Sequence, residues 1–234
     1  MSGERMNIGE LRALVARADH KQAEGAHLEA LLDYDTALRE APDDPMIWNN
    51  RGVALSSLGR LEEAISSYEK AAELRPGYWM AWFNLGKSLQ RCGRLEEAIE
   101  KYDRSLELNS GHESAQNNKA VALRGLGRHE EALECYDGLL GQNPFYEYAW
   151  QNKGHLLIAM GIPEEARVCF EIAAMLDPAF GRPGGGRPGG ARGSARRSAP
   201  KPSSEADEEE DEEMDARRNR EAPPGGRKKG TGKR

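Results

Sequence analysis

The sequence predicts an all-α protein, an α-solenoid of five 34-residue helix-turn-helix repeats followed by a disordered C-terminal tail. Three observations carry this. First, residues 11–180 repeat every 34 residues without insertion or deletion, as units 11–44, 45–78, 79–112, 113–146 and 147–180 after a short leader, 1–10. Second, four combs of residues hold that register: Pro42, Pro76, Pro144 and Pro178, with Ser110 in the missing slot; Gly25, Gly59, Gly93, Gly127 and Gly161; Ala30, Ala64, Ala98, Ala132 and Ala166; Tyr34, Tyr68, Tyr102, Tyr136 and Phe170. Third, residues 181–234 are rich in Gly, Pro and blocks of like charge. A period of this length denotes stacked supersecondary units rather than one globular core.

The second unit shows how each element arises. Asp44 is placed to cap a first helix, with Pro45 in the first turn, where a missing N–H costs nothing. Trp48, Gly52 and Leu55 share one helical face. Gly59 ends the helix because it takes a left-handed conformation cheaply. A second helix starts near Leu61, with Glu62 and Glu63 favourable to its dipole. Ala64, Tyr68 and Ala71 line its inner face, and Pro76 stops it. Gly52 and Ala64 are small where the helices approach, and Tyr68 is expected to fill the space between this unit and the next.

These residues resemble the tetratricopeptide repeat signature. Trp48, Gly52, Leu55, Gly59, Ala64, Tyr68, Ala71 and Pro76 carry the resemblance in the second unit; Trp82, Leu85, Gly86, Ala98 and Tyr102 carry it in the third; Trp150, Gly154, Leu157, Ala166, Phe170, Ala173 and Pro178 carry it in the fifth. The fourth unit has Gln116 in place of Trp, and the first has Leu14 for Trp and Lys21 for the usual large residue. The resemblance implies a right-handed superhelix whose first helices line a concave surface that binds extended peptides. It implies a non-catalytic scaffold for protein binding.

On that surface the sixth residue of units two to five is Asn50, Asn84, Asn118 and Asn152, with Ala16 in the first unit. An asparagine can pair with a peptide backbone in both directions. The row resembles the asparagine ladder in the superhelix of O-linked N-acetylglucosamine transferases, and only that ladder matches. The alternative is that these asparagines bond a neighbouring helix or face water. Around the row stand Arg12, Lys87, Arg91 and Arg124 against Asp19, with Asn49, Asn117, Gln151 and His155, and with Met46, Met80, Phe83 and Tyr148 for apolar contact. Residues 1–180 carry 19 Lys and Arg against 29 Asp and Glu, a net of −10. A positive groove in an acidic body points to an acidic segment or a free C-terminus as ligand. The carboxylate clamp of chaperone-binding members does not match, because Val15 and Asp19 stand where Lys and Asn are required.

The remaining composition excludes more than it adds. Cys92, Cys135 and Cys169 form no disulfide framework or zinc ligand set, and the histidines lack ligand spacing, so no metal and no cofactor is expected. No nucleophile–base set or phosphate loop suggests catalysis. No apolar run approaches membrane-span length, and the first residues lack a secretory apolar core; cytoplasm is expected, or the nucleus if the source has one. In the tail, residues 181–204 have a net charge of +6, 205–215 hold nine acids and no bases, and 216–234 return to +7. Its arginines suit weak, non-specific nucleic-acid contact, the alternatives being a solubilising tail or docking of its acidic run in the basic groove of the same chain. The outward face of the last helix, with Val168, Ile172 and Met175, is expected to be open to a second copy or a partner.

Overall fold

The computed structural model describes residues 6–177. Those residues form ten α-helices and no strand: α1 Ile8–Ala23, α2 His27–Glu40, α3 Pro45–Ser57, α4 Leu61–Leu74, α5 Trp79–Arg91, α6 Leu95–Leu108, α7 Glu113–Gly125, α8 His129–Gln142, α9 Glu147–Ala159 and α10 Pro163–Leu176. Each odd helix packs on the even helix that follows it, and each even helix packs on the next odd one. Odd helices also touch one another along the array (α1 with α3, α3 with α5, and onward), whereas even helices do not. The odd helices therefore lie on the inner side of the stack and line its concave wall. The readings on Pro178 and on the tail fall outside the described residues.

Local chemistry sets the helix ends. The Asp44 carboxylate accepts from the Met46 and Ile47 amides at 2.8 and 3.3 Å, with Pro45 at the start of α3. Asn7 and Glu10 form a reciprocal capping box at α1. Each hairpin turns on a glycine, such as Gly93 with φ +80°.

Inside a hairpin, close approach is the rule. A Cβ on Gly52 would stand 2.6 Å from the Tyr68 ring, and one on Gly86 would stand 2.7 Å from Tyr102 and 3.2 Å from the Ala98 carbonyl oxygen. Tyr68 thus fills the gap within its own unit, where its ring reaches the glycine of the paired helix, and it shares a core cluster with Leu85 and Leu89 of the next unit. The tryptophan comb has a structural reason as well. The Nε1 atoms of Trp48, Trp82 and Trp150 donate to the carbonyls of Pro42, Pro76 and Pro144 at 2.7, 2.9 and 2.8 Å. Gln116 takes over this bond where Trp is missing, donating to the Ser110 carbonyl at 2.8 Å. In the first unit Lys21 pairs with Asp33 at 2.9 Å, which Arg17 also holds.

On α10, Val168 and Met175 are exposed and Ile172 is half-buried, so the outward face is open among the described residues. No helix among them is long and apolar enough to cross a membrane.

Candidate peptide-binding surface

The odd helices bring Asn50, Asn84, Asn118 and Asn152 onto one wall, each half-buried. Their amides are partly used between units. Asn84 donates to the Asn49 carbonyl oxygen and Asn152 to that of Asn117, both at 3.0 Å. Asn50 donates to Asp19 Oδ1 at 3.1 Å and accepts from Asn49 Nδ2 at 3.1 Å. Asn49 and Asn117 are buried. They serve the row from beneath rather than standing on the open groove, because the fifth position of each first helix points into the joint with the next unit. Every bonded asparagine of the row keeps a second N–H that the neighbouring unit does not use.

The pairing fails at one joint. A step of 35 residues links Asn49 to Asn84 and Asn117 to Asn152, and the same step places Phe83 opposite Asn118. Phe83 has no acceptor, and the Asn118 side chain has no hydrogen-bond partner among the described residues.

Phe83 instead anchors an aromatic and cationic cluster. The Lys87 ammonium lies 5.2 Å from the Phe83 ring centroid. His112 meets Phe83 edge-on at 4.4 Å and Trp79 at 4.6 Å. Burial, and secondarily the charge of Arg91, pushes the Lys87 amine below its ordinary pKa. Burial and the charge of Lys87 do the same to His112. Lys87 has no carboxylate partner among the described residues. Arg124, half-buried on α7, has none either. Arg91 is exposed, and its guanidinium donates to the carbonyl and hydroxyl of Ser56 at 2.9 and 2.7 Å. Arg12 and Tyr148 are exposed at the two ends of the wall.

Many bases on the hairpins' flanks are neutralised. Arg60, Arg94 and Arg128 grip Glu63, Glu97 and Glu131 through two bonds each, and Arg51, Lys119 and Lys153 pair with Asp35, Asp103 and Asp137. Lys87 and Arg124 are therefore set apart as wall cations that are half-buried without a carboxylate partner among the described residues.

Tyrosine hydroxyls form a second layer beneath the wall that the sequence reading missed. Tyr34 donates to Asp19 Oδ1 at 2.5 Å and Tyr102 to Gln90 Oε1 at 2.6 Å. The signal was present in the ninth and twelfth residues of the units, which supply these acceptors.

Three models of one family, the tetratricopeptide repeat, match residues 45–78, 79–137 and 147–180. No curated protein matches the sequence. Among solved structures, the chain is similar to a crystal structure of MamA at 22% identity and TM-score 0.64, covering 74% of this chain and 96% of that one. It is similar to MamA from Desulfovibrio magneticus RS-1 at 19% and 0.68, covering 76% and 98%. It is also similar to YrrB, described as a tetratricopeptide repeat protein with an unusual peptide-binding site, at 22% and 0.60, covering 70% and 85%. These likenesses show the fold. The matched repeats, with the ten helices packed in sequence, show that the chain belongs to the tetratricopeptide repeat family.

Proposed function

We propose that this protein is a non-catalytic scaffold that holds an extended, acidic segment of a partner protein along the concave wall. The observation that carries this is the contrast between two populations of bases. Those cited above on the hairpins' flanks are ion-paired, while Lys87 and Arg124 stand half-buried on the wall with no carboxylate among the described residues. Taking a cation out of water without a counter-ion is costly, and a ligand carboxylate offsets that cost. The peptide-binding site named for YrrB supports the same reading.

In this reading Asn118 offers both halves of its amide to the ligand backbone, and Asn50, Asn84 and Asn152 offer their second N–H groups. Each such bond contributes about 0.5–1.5 kcal/mol net. Phe83 and Tyr148 give apolar contact, and Arg91 adds charge at the rim. Asn49 and Asn117 act indirectly by fixing Asn84 and Asn152. The exposed face of α10 offers a second contact surface for a partner or a second copy.

Display of a random peptide library against the full chain tests the proposal. Asp- and Glu-rich sequences are expected to be enriched by the wild type and lost with Lys87→Glu combined with Arg124→Glu. Their binding is expected to weaken as salt rises through the physiological range. Equal enrichment by wild type and variant would overturn it.

A further inference from the structure

Two hydroxyls of the tyrosine layer, those of Tyr68 and Tyr136, make no hydrogen bond among the described residues, and that of Tyr136 is the fully enclosed one. Tyr136 is fully buried, and its hydroxyl has no hydrogen-bond partner. The repeat register explains why. The ninth residue of the first unit, Asp19, accepts from Tyr34, and the twelfth residue of the third unit, Gln90, accepts from Tyr102. In the fourth unit those places hold Val121, which has no acceptor, and Arg124, which only donates. A buried hydroxyl and a half-buried guanidinium thus share one spot, both lacking an anion among the described residues.

The first unit shows what that spot accommodates. There Asp19 Oδ1 accepts from two groups: the hydroxyl of Tyr34 and the amide of Asn50, the sixth residue of the following unit, at 2.5 and 3.1 Å. The corresponding donors in the fourth unit are Tyr136 and the spare N–H of Asn152. A carboxylate is built into the chain at one end of the array, and its donors recur at the other end without it.

We propose that Tyr136, Arg124 and Asn152 form a seat for one carboxylate of the bound partner, which serves beside Val121 as the shared acceptor that Asp19 supplies in the first unit. This rests on the concave-groove reading and names its specificity element. The Tyr136 hydroxyl donates to the carboxylate, the spare N–H of Asn152 donates to the same group, and Arg124 balances the charge. Burial raises the Tyr136 pKa well above its ordinary value, so the hydroxyl stays protonated as a donor. His155 flanks the seat, its ring packed against Phe170 at 5.1 Å. Phe170 holds the tyrosine slot in the fifth unit without any hydroxyl, so Tyr136→Phe keeps the ring and removes only the donor.

The test uses the full chain labelled with carbon-13 at tyrosine Cζ, and three short peptides capped by acetyl. The first has one central Glu and an amidated end, the second has Ala there and a free C-terminal carboxylate, and the third has Gln and an amidated end. The Tyr136 resonance, identified by its loss in Tyr136→Phe, is expected to move with the first or second peptide and not with the third. Which of the two moves it tells a side-chain carboxylate from a chain terminus. Tyr136→Phe is expected to weaken that binding about tenfold, and Arg124→Gln at least as much. The Tyr136→Phe protein should unfold no earlier than wild type, since an orphan donor is removed. Unchanged affinity in Tyr136→Phe, an equal response to the Gln peptide, or no movement with any peptide would overturn the seat. If Lys87→Glu abolishes binding of acidic library peptides while Tyr136→Phe leaves it intact, the groove reading stands and the seat falls.

Discussion

Asp33 is the residue where charge and packing meet most closely. It is 8% exposed, yet Arg17 donates to both its oxygens at 2.9 and 2.8 Å and Lys21 adds a third bond at 2.9 Å. The Arg17 hydrogen bond leads in holding its pKa below the ordinary carboxylate value of 3.8, against the opposing effect of burial. A depressed carboxylate contributes stability above its unfolded pKa, and that contribution is lost as pH falls through the lower folded value. Asp33→Asn is therefore expected to cost about 1 kcal/mol at neutral pH. The gap between variant and wild type should close as the acid limb is reached. Urea unfolding at neutral pH and in acid checks both halves. Lys21 could be read from the sequence only as a departure from the repeat pattern. Its partner could not, because Asp33 lies twelve residues away on the other helix of the hairpin.

At the scale of the element, the turns and the hairpin interiors were legible and the joints were not. The glycine comb marks every turn, and its cost can be isolated. Gly93 has φ +80° with open space where a Cβ would go, and Gly77 has the same open space without a positive φ. Gly93→Ala is expected to cost about 1–2 kcal/mol more than Gly77→Ala, because only the first forces a side chain into the left-handed region. Thermal unfolding of the two variants measures that difference. The Gly–Tyr pairs were legible as small and large residues at fixed spacing. The joints depend on how one hairpin crosses the next. That crossing turns Asn49 and Asn117 inward to be acceptors, and makes Phe83 at the same position an interruption of the asparagine pairing. The concave cations were visible as a charge excess. That Lys87 rests on Phe83, and that Tyr136 lacks an acceptor, required the registered stack.

For the whole molecule, each hairpin touches only its neighbours, so stability is close to a sum of unit and joint contributions. Leu157 on α9 is 1% exposed, packed with Ala166 and Cys169 at the end of the described array. Leu157→Ala is expected to cost about 2–5 kcal/mol at that site. The loss should be local: amides of α9 and α10 exchange faster, while those of α1 to α6 keep their protection. Hydrogen exchange read helix by helix tests this, and a uniform loss along the chain would contradict the additive picture.

The interruption at Phe83 gives the third unit a distinct standing. Excising residues 79–112 would splice Tyr78 to Glu113 and bring Asn118 within a 35-residue step of Asn49, the same step that joins Asn84 to Asn49 now. The shortened chain would carry an unbroken asparagine row and neither Phe83 nor Lys87. One removable cassette thus both interrupts the regular asparagine lattice of the array and carries Lys87, a half-buried wall cation with no carboxylate among the described residues, so under the proposed function a shorter chain would trade ligand selectivity for structural regularity.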